Sequence, residues 1–105
     1  MNPSKSKRAI PPRAADYTKQ FLKDWERLTR SGKFNMNSLK EVMMLLIAHN
    51  APLPPEWLDH EIQGVWAGYR ECHVGGDFLL IYKVSEAGVG AVVFYRTGTH
   101  ADLFE

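Results

Sequence analysis

The sequence predicts an α+β domain, with two N-terminal helices packed on one face of an antiparallel β-sheet. Three observations carry this. Up to Asn50, apolar side chains recur at three- and four-residue steps, as along one side of a helix. From Trp66 onward the chain is rich in β-branched and aromatic residues, interrupted by glycine turns. Between the halves, Ala51-Pro52-Leu53-Pro54-Pro55 stops any helix and leads out in a stiff, extended connection.

Residues 1–7 read as a flexible tail and residues 8–105 as a single domain, because 105 residues hold one small core. Arg8 to Pro12 is expected as a short edge strand, since its prolines exclude a central position. Asp16 to Arg30 is expected as the first helix. Tyr17, Phe21, Trp25 and Leu28 form its apolar stripe, and Lys19, Lys23, Arg27 and Arg30 repeat those steps about 200° round the axis. The basic stripe therefore points away from the core, and Gly32 ends the helix. A second helix starts near Asn35 or Asn37, either of which can cap it, and buries Leu39, Val42, Met43, Leu46 and Ile47. Met43 and Met44 read as core filler rather than a cofactor contact. Three strands follow, Trp66 to Val74, Phe78 to Val84 and Val89 to Thr97, joined by turns at Gly75-Gly76-Asp77 and Ser85 to Gly88. The helices cover one sheet face and leave the other free.

An apolar share of 45% excludes a disordered chain. The single cysteine, Cys72, excludes an internal disulfide framework and points to a reducing compartment. Residues 1–8 are polar and basic without an apolar stretch behind them, so no secretory signal is expected. The longest apolar run, Val42 to Ala48, is too short to cross a bilayer, and a soluble, cytoplasmic protein is expected. The net charge of +1 conceals an asymmetry. Ten of the 13 Lys and Arg residues lie at or before Asn50, against four of the 12 acids. A basic half suits a polyanionic partner; a solvated helix surface is the plainer alternative.

His60, His73 and His100 fall in the strand half with Asp77, Arg96 and the motif Tyr95-Arg96-Thr97-Gly98-Thr99-His100. Metal-free RNA cleavage needs a base for the 2′-hydroxyl, an acid for the 5′-oxygen and a cation at phosphorus. Histidine serves as acid or base near neutral pH, and Arg offers phosphate a planar donor fork. The sequence does not show that these residues converge, and surface or core histidines are the plainer reading. The histidines lack the close spacing of a zinc motif, so no metal is expected. Cys72 and His73 are strand neighbours on opposite faces; they cannot pair as a nucleophile and its base, and Cys72 reads as core.

The segments Leu53-Pro54-Pro55, Asp59-His60, Gln63-Gly64, Trp66, Gly68-Tyr69-Arg70, His73-Val74, Leu80-Ile81-Tyr82-Lys83, Arg96-Thr97-Gly98-Thr99-His100-Ala101 and Leu103-Phe104 together resemble the YafQ-type toxins of the RelE/ParE superfamily. The resemblance runs from the second helix to the C-terminus and is looser across the first helix. It implies a RelE-like, microbial RNase-like fold with a curved sheet. It also implies ribosome-dependent cleavage of mRNA, neutralised by a cognate antitoxin, with no metal or organic cofactor. The partners implied are the antitoxin, the ribosome and mRNA, with no membrane. The free toxin would be a monomer that forms a hetero-oligomer with its antitoxin.

By this resemblance His60, His73, Asp77, Arg96 and His100 form the active site. His100 would be the general acid, His73 with Asp77 the base, His60 a second base or substrate ligand, and Arg96 the phosphate ligand. Phe104 would stack on a base or pack at the site rim. Lys19, Lys23, Arg27 and Arg30 would contact ribosomal RNA phosphates. Two positions depart from the family pattern. Phe78 replaces a tryptophan, which weakens or shifts stacking on RNA, and Asp102 stands two residues from His100, where its carboxylate would favour the imidazolium. The competing readings are a ParE-like toxin that binds DNA gyrase and an inactive antitoxin-binding co-repressor. The histidine set argues against the first, and the complete candidate site against the second.

Overall fold

Thr18 opens the first helix by accepting the Phe21 N–H on its hydroxyl, and Gly32 closes it in the left-handed region at φ 69°, so α1 spans Lys19–Ser31. The structure, a computed structural model, describes residues 11–48, 53–85 and 90–105. The tail expected over residues 1–7 lies outside these, as do residues 8–10 of the expected edge strand, residues 50–52 of the proline-rich connection and residues 86–88 of the last turn.

The expected helix start at Asp16 is too early. Asp16 and Tyr17 instead end a strand, β1 (Ala14–Tyr17). The Thr18 hydroxyl, besides capping α1, donates to the Tyr95 carbonyl at 2.8 Å, which ties the start of the helix to the sheet. β1 is an edge strand, but it begins after the prolines, and Pro11 and Pro12 of the expected strand lie outside it. It also pairs parallel with the last strand, so the sheet is not wholly antiparallel. A long connection that includes both helices separates the two, and parallel pairing requires such a crossover.

α2 spans Met36–Ile47, and Asn35 caps it by accepting the Ser38 N–H. Leu39, Val42 and Leu46 are buried, whereas Met44 is 61% exposed. Met44 thus does not fill the core: one residue past Met43, it sits about 100° further round the helix.

The remaining strands are β2 (His60–Glu61), β3 (Arg70–Gly75), β4 (Phe78–Ser85) and β5 (Ala91–Gly98), and the sheet order is β1-β5-β4-β3-β2. Trp66 does not begin a strand. Gly64–Trp66 is a 3-10 turn, and Gly68 at φ 95° carries the chain round into β3. A last short helix, α3 (His100–Phe104), was not anticipated; Thr99 and Asp102 form a capping box at its start.

Sheet alternation divides the core. Phe21, Leu28, Leu39, Val42, Leu46, Cys72, Leu80, Tyr82, Val92 and Phe94 meet between helices and sheet. Cys72 is fully buried there, as expected, and burial pushes its thiol pKa up. The opposite face is not wholly free, because Leu79, Ile81 and Leu103 pack there against Ile62, Trp66, Tyr69 and Tyr95. Among the described residues, no helix is long and apolar enough to cross a membrane.

Candidate active site

Alternation on β3 sends Cys72 and Val74 into the helix-side core and leaves Glu71 and His73 on the other face. The β2–β3 register sets His60 opposite Glu71, and facing residues of an antiparallel pair bring their side chains together. His60 Nε2 lies 3.0 Å from Glu71 Oε1, and the Glu71 side chain is 7% exposed. The other ring nitrogen, Nδ1, donates to the Leu58 carbonyl at 2.8 Å. Leu58 is the one non-glycine with positive φ among the described residues, at 48°, and it directs that carbonyl at the ring. Asp59 anchors the same loop by accepting from Arg70 Nε at 3.1 Å, from Arg70 Nη2 at 2.7 Å and from the Tyr82 hydroxyl.

The His73 ring centre is 6.1 Å from that of His60 and 6.4 Å from that of His100. His73 Nδ1 donates to the Gly76 carbonyl at 3.2 Å, so its Nε2 carries a lone pair in the neutral ring. Beyond it, Asp77 accepts from His100 Nδ1 at 2.5 Å and from the His100 backbone N–H at 3.1 Å. The hydrogen bond from the His100 ring, with that of its backbone N–H, holds the Asp77 carboxyl below the usual carboxylate range. The Phe104 ring, 40% exposed, lies 5.8 Å from that of His100. Glu71, His60, His73, His100, Asp77 and Phe104 therefore form a row across the face opposite the helices.

Several expected contacts differ. Asp77 serves His100 rather than His73, because the turn that carries it folds beneath the first turn of α3. Asp102 does not reach the imidazole; its carboxylate accepts from Thr99 N at 3.0 Å and Arg27 Nη2 at 3.3 Å, as capping demands. Phe78 is 5% exposed and packs edge-on against Phe34 at 5.0 Å, so it belongs to the core and presents no ring to RNA. Arg96 donates from Nε at 2.8 Å and Nη2 at 3.2 Å to Asp24 of α1, a partner the sequence reading did not foresee. Lys19, Lys23, Arg27 and Arg30 are all exposed, but Arg27 is engaged by both Asp24 and Asp102.

Two participants escaped the sequence reading. Glu71 lies two residues before His73 and so shares its strand face, a signal that the pattern carried. Asp24 is spaced three from Phe21 and four from Leu28, within the apolar stripe, and is fully buried. Burial pushes its carboxyl up, but donors from Arg96, Thr97 N, Arg27 and Gln20 outweigh this and hold it below its ordinary value.

Residues 13–105 match the family model described as bacterial toxin of type II toxin-antitoxin system, YafQ. The chain belongs to the YafQ toxin family. It is 45% identical over 92 residues to the mRNA interferase toxin YafQ of Escherichia coli K12, covering 88% of this chain and 96% of that protein. The crystal structure of YafQ from E. coli BL21(DE3) superposes with a TM-score of 0.79 at 43% identity, over 89% of this chain and 99% of that one. The E. coli DinJ–YafQ complex matches with a TM-score of 0.77 at 44% identity, over the same shares of the two chains. The α+β architecture of this YafQ-family chain, two long helices on a largely antiparallel sheet, is thus also that of solved relatives.

Proposed function

We propose that this YafQ-family chain is a cytoplasmic endoribonuclease toxin that cuts mRNA on the ribosome and is neutralised by a cognate antitoxin. The observation that carries the reading is the pair His73 and His100, neighbours on one open face whose Nδ1–H groups are held by different partners, a backbone carbonyl and a carboxylate. His73, with Nδ1–H fixed on Gly76, offers the Nε2 lone pair of a base. His100, its Nδ1–H held by the Asp77 carboxylate, is oriented to give an Nε2 proton as the acid. His73 takes the 2′-hydroxyl proton, the 2′-oxygen forms a bond to the adjacent phosphorus, and the P–O5′ bond breaks as His100 protonates the leaving oxygen. The products are a 2′,3′-cyclic phosphate and a 5′-hydroxyl, and no metal or cofactor takes part.

Phe104 stacks on a base beside His100. His60, placed beside His73 by Glu71 and Leu58, is a second base or substrate ligand, and Arg96 lends positive charge to the phosphate through donors not engaged by Asp24. Lys19, Lys23 and Arg30 on α1 contact ribosomal phosphates. The relative named mRNA interferase and the one crystallised with DinJ support both activity and partner.

The test is primer extension on a defined mRNA in a purified translation system, with and without ribosomes. Wild-type protein is expected to cut at codon-phased positions only when ribosomes are present. His100→Ala is expected to lower the rate by about 10²- to 10⁴-fold. A folded wild-type protein that leaves the mRNA intact overturns the reading.

A further inference from the structure

We propose that Trp66, Tyr69, Tyr95 and Lys83 form a subsite for single-stranded RNA that stacks one base of the substrate and binds its phosphate. The subsite rests on the ribonuclease reading above and extends it beyond the residues at the cut.

Strand register leads to it. On the face opposite the helices β3 carries His73 and Glu71, and Tyr69 continues that alternation just before the strand begins. β4 presents Leu79, Ile81 and Lys83 to the same face. Tyr69 packs edge-on against Trp66, with ring centres 5.1 Å apart at 89°, and against Tyr95, 4.7 Å apart at 83°. The Lys83 ammonium stands 5.0 Å from the centre of the Tyr69 ring. At about 3.3 Å per strand residue, Tyr69 lies about 13 Å from His73. A stacked strand rising about 3.4 Å per nucleotide covers that span in about four nucleotides, and an extended one in fewer. One strand of RNA thus reaches both.

Three observations separate this patch from simple padding of the small core beneath it. Trp66, Tyr69 and Tyr95 cover Leu79, Ile81 and Leu103, yet each is only half-buried, and Val65 beside Trp66 is 96% exposed. Tyr95 is the extra residue of a β-bulge, because Ile81 and Tyr82 of β4 face Arg96 and Phe94 and pass it over. Bulges re-aim side chains, and this one sets Tyr95 against Tyr69. Lys83 has no carboxylate partner among the described residues, so its charge is available to a phosphate. Rings beside a cation hold unpaired bases irrespective of sequence, since every base has a π-face. Their edge-on neighbours already fix these rings, so stacking costs little side-chain freedom. The histidine row lies on the same open face, and that continuity makes the substrate strand the occupant.

The test pairs a ring with a base. End-labelled mRNAs, each with an abasic nucleotide at a different position near the cut, are cleaved on ribosomes by wild-type and Tyr95→Leu protein. At one position the abasic nucleotide is expected to slow the wild type about tenfold, the worth of one stacked base. Tyr95→Leu is expected to cut the unmodified mRNA slower by a similar factor and to be indifferent to that position. The two changes together then cost no more than either alone. Any effect of the abasic nucleotide on the ribosome enters both proteins alike and cancels. Far-UV circular dichroism checks the fold, and Trp66→Leu carries the comparison should Tyr95→Leu not fold. Lys83→Gln is expected to reduce the slope of log kcat/KM against log salt by about 0.7, one single-strand phosphate. An unchanged slope overturns the phosphate contact. Cleavage with effects that multiply independently at every position overturns the subsite alone. A wild-type protein that leaves unmodified mRNA whole overturns the ribonuclease reading and the subsite with it.

Discussion

Phe78 and Phe104 are both aromatic residues beside the histidine row in the chain, yet they have opposite surroundings. Phe78 begins β4 on the helix side, where Phe34 closes over it, and 5% of it is exposed. Phe104 ends α3 with 40% of its surface open and its ring next to His100. Their alanine variants should therefore separate stability from activity. Phe78→Ala removes a buried ring and is expected to cost about 3–5 kcal/mol of unfolding free energy. Phe104→Ala is expected to leave the urea midpoint nearly unchanged and to weaken cleavage about tenfold, the worth of one stacked base. Urea unfolding and the primer-extension rate, measured on both proteins, check this. A destabilised Phe104→Ala with unaltered cleavage would return that ring to the core.

At the scale of elements, the position of His100 depends on how α3 is fastened. His100 follows Thr99, whose hydroxyl accepts the Asp102 N–H while the Asp102 carboxylate accepts the Thr99 N–H. Arg27 of α1 binds the same carboxylate, and Gly98 leaves room for it. A Cβ on Gly98 would stand 2.7 Å from Asp102 Oδ2 and 3.2 Å from Arg27 Nη2, on backbone at φ 152°. Gly98→Ala is expected to displace Asp102, loosen the cap and move His100 off Asp77. Cleavage should then fall about 10²-fold or more, since misplacement of about 1 Å suffices for that. Thermal stability should drop only by the few kilocalories per mole of a lost cap and backbone strain, about 1–3. A crystal structure or an HSQC spectrum localising the change to residues 98–104 distinguishes this from general unfolding. The fastening also marks a limit of sequence reading. Strand alternation set Cys72 and His73 on opposite faces, and glycine and asparagine located the end of α1 and the start of α2. The cap at Thr99 was hidden because a five-residue helix has too few positions to show a period. Asp77 was assigned to the wrong histidine because nearness along the chain cannot reveal which ring a turn folds beneath.

For the molecule as a whole, Asp24 joins the two layers, accepting from Arg96 and Thr97 N of β5 and from Arg27 of its own helix. Its carboxyl is depressed in the folded state. Its contribution is therefore complete above about pH 4, the ordinary carboxylate value, and disappears as pH falls through the lower folded value. Asp24→Asn is expected to cost about 3 kcal/mol at pH 7, as breaking a buried pair does, and to flatten the stability curve below pH 4. Urea titrations from pH 2 to 7 measure both effects; an unchanged acid limb would remove Asp24 from the account. The same network divides the basic stripe. Spacing placed its four cations on one outward face, and all four are exposed, but Arg27 is already occupied by Asp24 and Asp102. Lys19, Lys23 and Arg30 are thus the residues of that stripe available to phosphate. Replacing all three by Gln is expected to weaken binding to ribosomal RNA and to reduce the slope of log K against log salt by about 2–3. Arg27→Gln is expected to leave that slope nearly unchanged while lowering cleavage through α3. Equal slope changes per residue across the four would mean that Arg27 exchanges its carboxylates for RNA, and that α1 reorganises when it docks.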